Sequence, residues 1–355
     1  MRKLGIWLAL CVVTAIGIVV GWNWHMISIH PQALEASYSP DTQFEPQTKS
    51  EVPVVAPTID GDRVWADLER LNFRRFSESE RNQARSYIAQ ALREAGWTPQ
   101  VQSFDRGVNV YAERPGTDPT AGSILLAAHY DSVERSPGVD DNATGIATVL
   151  EAARLLGDRP TPRTLKLALF DLEESGLLGS FAFAKEAAQI DNLQGAIVLD
   201  MIGFACHTDG CQTYPAVLPI TPPTTQGDFL AVIGDQGHMP LIDAFAQASG
   251  GELPQVLTLP VPLLGPFTPD LLRSDHAPFW QAGIGAVLLT DTANFRNPHY
   301  HTESDTLDII DRPFFTGSVQ IVINAVTQLL HDRNSTATQT VPQQDRTTPT
   351  RTTPL

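Results

Sequence analysis

From residue 77 to residue 331 the chain alternates short apolar runs with stretches whose apolar positions recur at helical spacing. Ser77 and Glu80 form a capping-box pair. The helix they open carries Ala84, Tyr87, Ile88, Ala91 and Leu92 on one face, and Gly96 ends it. Apolar runs predict strands from Val108 (VNVYAE), Ser123 (SILLAAHYDS), Thr164 (TLKLALFDL), Gly195 (GAIVLDMIG), near Phe229, from Val256 (VLTLP) and from Gly285 (GAVLLTD). Helices are predicted between them. One is capped by Asn142 and runs to Leu156 with Ile146, Val149, Leu150 and Ala153 inward; others cover Leu177 to Ala188, a segment near Leu241, and Thr316 to His331. This alternation predicts an α/β three-layer sandwich, a largely parallel mixed sheet with helices on both faces. Ligand chemistry in such folds gathers beyond the carboxyl ends of the strands.

The chain ends differ in character. Leu4 to Trp24 is an uncharged apolar run, long enough to cross a bilayer, and is expected to be a transmembrane signal anchor over 4–24. Arg2 and Lys3 would keep residues 1–3 in the cytoplasm, with Trp22 and Trp24 at the far interface. A cleaved signal peptide is the alternative, although no small-x-small cleavage site follows the run. LALC, ending at Cys11, faintly suggests a lipoprotein signal, but Leu10 is too bulky for one. Either main reading places most of the protein on the extracytoplasmic side. Residues 25–58 read as a polar, Pro-rich linker, 59–333 as the folded domain, and 334–355 as a disordered Thr/Pro-rich tail.

The formal net charge of −16 excludes a nucleic-acid partner and a polybasic membrane patch but suits cations. Cys206 and Cys211 flank CHTDGC, which in an oxidising compartment predicts a local disulfide. A zinc site using His207 there lacks a fourth ligand.

The polar residues at the predicted strand ends form a pattern. His129 and Asp131 close one strand, and Asp140 and Asp141 lie in the loop after it. Glu173 and Glu174 close the next strand, Asp200 the one after, and His301 follows the last. Each element alone has an ordinary reading: a strand-end pair, a helix cap, a solvated acidic turn. Together they place two imidazoles and several carboxylates in one region. Bare clustered carboxylates force some pKa values upward, and a divalent ion removes that problem. Two histidines and three carboxylates exceed one four-coordinate zinc with an open position. They suit two metals sharing a bridging carboxylate and a water.

With these residues in order, the chain resembles the co-catalytic di-zinc aminopeptidases, metallopeptidase family twenty-eight. The resemblance rests on AAHYDS (from Ala127), GVDDNATGIA (from Gly138), EESGLLGS (from Glu173), LDMIG (from Leu199), SDHAPFWQAGI (from Ser274) and YHTESDT (from Tyr300). It implies a zinc exopeptidase-like fold, two zinc ions and peptide substrates. It assigns His129 and Asp200 to one zinc, Glu174 and His301 to the other, and Asp140 to the bridge. It makes Glu173 the general base and Tyr300 a stabiliser of the oxyanion. Asp131 would orient His129, and Asp141 would follow Asp140 through a cis peptide. Asp275 and His276 would support the site without ligating metal. His299 is a competing neighbour that the H-T-x-x-D-T context passes over in favour of His301. The alternatives are a single-zinc glutaminyl cyclase on the same scaffold and a non-catalytic peptidase-like binding domain.

Overall fold

The computed structural model describes residues 54–215, 222–262 and 269–332. In chain order these form α1 (Gly61–Leu71), α2 (Glu78–Glu94), β1 (Gln100–Phe104), β2 (Gly107–Arg114), β3 (Ser123–His129) and α3 (Thr144–Leu156). There follow β4 (Thr164–Phe170), α4 (Leu178–Lys185), α5 (Ala187–Ile190), β5 (Leu193–Leu199), β6 (Phe229–Asp235) and α6 (Met239–Ala248). β7 (Gln255–Val261), α7 (Ala277–Gln281), β8 (Ala286–Thr290) and α8 (Arg312–His331) complete it. The predicted anchor at 4–24, nearly all of the linker and the tail at 334–355 lie outside the described residues.

The eight strands make one mixed sheet in the order β1-β2-β4-β3-β5-β8-β6-β7. Its centre, β4-β3-β5-β8, is parallel throughout. β1, β2 and the β8–β6 pair run antiparallel, and β6 and β7 are parallel to each other. Side chains alternate across this sheet, so its central strands feed two cores. Ile124, Leu126 and Ala128 of β3 join the core beneath α1, α2, α3, α6 and α8. Leu125 and Ala127 join the opposite core with Phe183 of α4 and Phe279 and Trp280 of α7. Both faces of β3 are therefore covered, which is why its sequence reads as a continuous apolar run.

The differences from the sequence reading have local causes. α8 begins at Arg312 rather than Thr316, because the Asp311 side chain accepts from Phe314 N at 3.0 Å and caps it. The helix read over 177–188 is two pieces, since Glu186 adopts an extended backbone between α4 and α5. β1 is an exposed edge strand with no apolar run, and α1 lies just inside the expected start of the domain. Among the described residues, only α8 is long and apolar enough to cross a membrane, and 72% of that window is buried, as suits a core helix.

The capping box at Ser77 is fully formed. Its Oγ accepts from Glu80 N at 3.4 Å, and Glu80 Oε2 accepts from Ser77 N at 2.8 Å. Ser77→Ala should lower the unfolding free energy by about 1 kcal/mol. Urea titration checks this: the midpoint should fall without a change in slope.

Candidate metal centre

Four parallel strands end at one edge of the sheet. His129 is the last residue of β3 and lies in register with Phe170 of β4. Glu173 and Glu174 follow β4 after Leu172, which turns the chain at φ 60°. Asp200 directly follows Leu199 of β5, and His301 lies in the loop after β8. The loop after β3 brings Asp141 between them.

His129 Nε2 stands 3.2 Å from Asp141 Oδ1 and 3.6 Å from Asp200 Oδ1. His301 Nε2 stands 3.1 Å from Asp141 Oδ2 and 3.0 Å from Glu174 Oε2. The two oxygens of Asp141 thus face two different imidazoles. His129–Asp141–Asp200 and Asp141–Glu174–His301 each place three donor atoms within 4.8 Å of one another. The groups have one member in common, Asp141.

This corrects the expectation for Asp140. Its carboxylate turns away from both histidines: Oδ1 accepts from Gly203 N at 2.9 Å and Oδ2 from Asn297 Nδ2 at 2.7 Å. Asp140 is fully buried beside Asp291, and burial together with that neighbouring carboxyl holds its pKa well above the usual carboxylate range. The cis peptide likewise lies one position later than expected, between Asp141 and Asn142. Adjacent residues in this loop point in different directions, and two identical side chains offer no sequence signal for which faces the site.

The remaining donors carry the marks of cation ligands. Both ring nitrogens of His129, Nε2 of His301 and Oε1 of Glu174 are buried without hydrogen-bond partners. Atoms this polar are normally satisfied when buried. The charge balance is equally unsettled. Burial, reinforced by Asp141, pushes Glu174 up to about 8 against the opposing His301. Burial opposes the His301 cation, but Asp141 and Glu174 overcome it and raise this group to about 10. Imidazole with carboxylate is a donor set for zinc or a similar divalent ion, so the residues present fit such an ion.

The surroundings hold these donors in place. Asp131 lies 3.5 Å from His129 Nδ1, and its carboxylate accepts from the backbone amides of Glu173 at 3.0 Å and Glu174 at 3.2 Å. It therefore ties the ends of β3 and β4 together. Glu173 is buried, and its pKa is pushed well above the usual range by burial, with Asp275, Asp200 and Glu174 adding to the effect against His129. Asp275 accepts from the Ser180 hydroxyl, and burial raises it to about 7. His276 packs edge-on against Trp280 and shares a 2.9 Å contact with Leu271 O. Neither Asp275 nor His276 belongs to a donor group. Tyr300 stacks on His301 with ring centroids 3.7 Å apart, and its hydroxyl accepts from Arg273 Nη2 at 3.2 Å. His299 is turned to Ser304, 2.8 Å from its hydroxyl.

Three further residues support the site, of which the sequence marked Asn142 only as a helix cap. Asp305 accepts from the backbone amides of Asp140 at 2.8 Å and Asp141 at 3.2 Å. Asn142 donates to Leu199 O at 2.8 Å, joining the Asp141 loop to the end of β5, and accepts from Gly145 N at 3.1 Å, the capping contact its position suggested. Arg75 bonds both ends of the loop that joins His129 to Asp141. Asp305 left a trace as the last acid of the H-T-x-x-D segment, and Asn142 as a cap, but Arg75 left none.

A cavity of about 630 Å³ opens onto the donors. Glu173, Glu174, Asp141, Asp200 and Tyr300 line one end, while Phe229, Ile233, Leu257, Leu259 and Leu288 form an apolar floor on β6, β7 and β8. Arg273 and Asp270 also line it. The disulfide Cys206–Cys211 closes a loop after Asp200, and the next residue, Gln212, reaches the cavity.

The sequence profile of Peptidase family M28 matches residues 109–326, more than half of the chain. The chain belongs to peptidase family M28. This M28 chain is 32% identical over 222 residues to the uncharacterized protein YfbL of Escherichia coli K12, covering 59% of this chain and 67% of that one. It is 30% identical over 234 residues to the probable lipoprotein aminopeptidase LpqL of Mycobacterium tuberculosis, covering 61% of this chain but only 44% of that protein. The fold is shared with the aminopeptidase from Aneurinibacillus sp. strain AM-1, at 18% identity and a TM-score of 0.60, covering 77% of this chain and 94% of that one.

Proposed function

We propose that this M28 chain is a zinc-dependent aminopeptidase that removes N-terminal residues from peptides. The observation that supports this most is the pair of donor groups joined through Asp141, open to a cavity that Glu173 also lines. His129, Asp141 and Asp200 would hold one ion, and Asp141, Glu174 and His301 the other. When bound, such ions acidify water and polarise a carbonyl.

The chain's own residues divide the remaining work. Glu173 belongs to neither donor group, so its carboxylate is left to accept the proton of the attacking water and deliver it to the departing amine. The Tyr300 hydroxyl takes the Arg273 guanidinium as a donor, which leaves the phenolic proton available for the oxyanion. The apolar floor would receive the side chain of the substrate's first residue.

In the same reading, residues 4–24 anchor the chain, 59–333 form the peptidase domain on the extracytoplasmic side, and 334–355 are a tail. A cyclase needing one zinc would leave one donor group idle, and a non-catalytic domain would leave both idle.

The test is an assay of the purified, zinc-loaded chain on amino-acid amides, peptides and a glutaminyl peptide. Release of the N-terminal residue, abolished by chelation and restored by zinc, is expected. Pyroglutamate formation without hydrolysis would sink the peptidase reading. The floor sets a further expectation. Leucyl and phenylalanyl substrates should exceed aspartyl ones in kcat/KM by at least about tenfold, because a charged side chain buried there goes unpaired. Ile233→Asp should erase that advantage and shift preference toward lysyl and arginyl substrates, measured as kcat/KM ratios.

A further inference from the structure

Arg75 lies between the segment after α1 and the single loop that runs from His129 at the end of β3 to Asp141. It is fully buried. Its Nε donates to Tyr130 O at 2.8 Å. Nη1 lies within bonding distance of Leu71 O at 2.8 Å, Phe73 O at 3.0 Å and Pro137 O at 2.7 Å, and Nη2 donates to Gly138 O at 2.6 Å. Its backbone joins in: Arg75 N donates to Ser132 Oγ at 3.0 Å, and Ser132 N donates back to Arg75 O at 3.3 Å. The Ser132 hydroxyl in turn lies 3.1 Å from Ser136 O.

These contacts have a specific location. Tyr130 stands between His129 and Asp131. Gly138 stands at the entrance to the turn that presents Asp141. One planar guanidinium, with donors in a rigid fork, is bonded to both. The approach is close: a Cβ built on Gly138, which has φ +67°, would lie 2.7 Å from Arg75 Nη2 and 2.3 Å from Asp141 O. An apolar side chain at position 75 would leave several buried carbonyls unpartnered. The nearby acidic groups, Asp305, Asp141, Asp131 and Glu174, favour the guanidinium charge against the cost of burying it.

We propose that Arg75 is a positioning residue for the metal centre: it fixes the spacing between the strand end bearing His129 and the loop bearing Asp141. The inference rests on the two-cation reading above. Its signature follows from the shared carboxylate. A displaced Asp141 weakens both donor groups together, whereas losing His129 or His301 removes a ligand from one group alone. A purely structural arginine would instead change the stability of the metal-free chain and leave affinity untouched.

The experiment compares the full-length wild-type chain with Arg75→Lys and Ser132→Ala after chelation. Each is titrated with Zn²⁺ by calorimetry and with Co²⁺ by visible absorption, and the metal-free forms are melted in parallel. Arg75→Lys keeps the charge but loses the fork. It should weaken both equivalents by about tenfold to a hundredfold, the usual cost of removing an outer support of a metal site. Ser132→Ala, a milder cut in the same clamp, should weaken both by at least about threefold; it decides the matter if Arg75→Lys does not fold. Unaltered affinities in folded variants, or a loss confined to one equivalent, would overturn the assignment alone. A wild-type chain that takes up neither cation would overturn the two-cation reading, and this assignment with it.

Discussion

Glu173→Gln should cut kcat by about 10²- to 10⁴-fold, the range for loss of a positioned general base, while metal content stays at the wild-type level. The glutamine is close in shape, and the backbone bond from residue 173 to Asp131 survives the change. What disappears is the capacity to accept a proton at a buried position facing the cavity. The neighbouring residue should behave differently. Glu174 Oε2 stands 3.0 Å from His301 Nε2 inside a donor group. Glu174→Gln should therefore lose one equivalent of metal first, and activity as a consequence. Elemental analysis of both purified variants, alongside steady-state kinetics, separates the two roles. If both variants lost metal alike, the division of labour between the adjacent glutamates would be wrong.

Asp141→Asn should weaken both equivalents of metal by about a hundredfold or more and abolish turnover, whereas Asp140→Asn should keep both. The contrast comes from two residues that share one side chain and one loop. Each carboxylate oxygen of Asp141 faces its own histidine, so one substitution removes a charge from both groups. Asp140 instead contacts Gly203 N and Asn297 Nδ2 and is driven toward its neutral form by burial and Asp291. Asparagine there keeps the shape and one acceptor oxygen and sacrifices chiefly the bond from Asn297, a cost of about 1–2 kcal/mol in stability. Metal titration of the two variants, with melts of the metal-free forms, decides which aspartate is shared. Retention of metal by the Asp141 variant would contradict a carboxylate shared between the two histidines.

The sequence exposed the parts of this molecule that rest on repetition and burial. β3, β4, β5 and β8 read as strands because both of their faces are covered, and their polar terminal residues stood out against the apolar runs. β1 was missed for the opposite reason: QVQSF lies at an edge, largely open to water, and carries little apolar signal. α1 has Val64, Leu68 and Leu71 at helical spacing behind an Asp60 cap, a pattern that is legible in the sequence. Within the centre, His129, Glu174, Asp200 and His301 were visible because they sit at strand ends or in a distinctive motif. The choice between Asp140 and Asp141 was not, since orientation inside a turn depends on contacts with Gly203, Asn297 and Asp305 that sequence order does not reveal. Arg75 was invisible for a related reason. It binds backbone carbonyls, which every residue supplies, so no partner residue type marks it.

The bonds that the Asp140 and Asp141 amides donate to Asp305 have a temporal consequence. These groups are 165 and 164 residues apart in the chain, and synthesis proceeds from the amino end. The turn that presents Asp141 therefore lacks its carboxylate partner until nearly the whole domain has been made. A nascent chain that has completed only β3, β4 and β5 holds the glutamates, His129 and Asp200, but neither His301 nor Asp305. Assembly of the centre is thereby postponed to the closing stage of biosynthesis, and a truncated product is left without a complete cation trap.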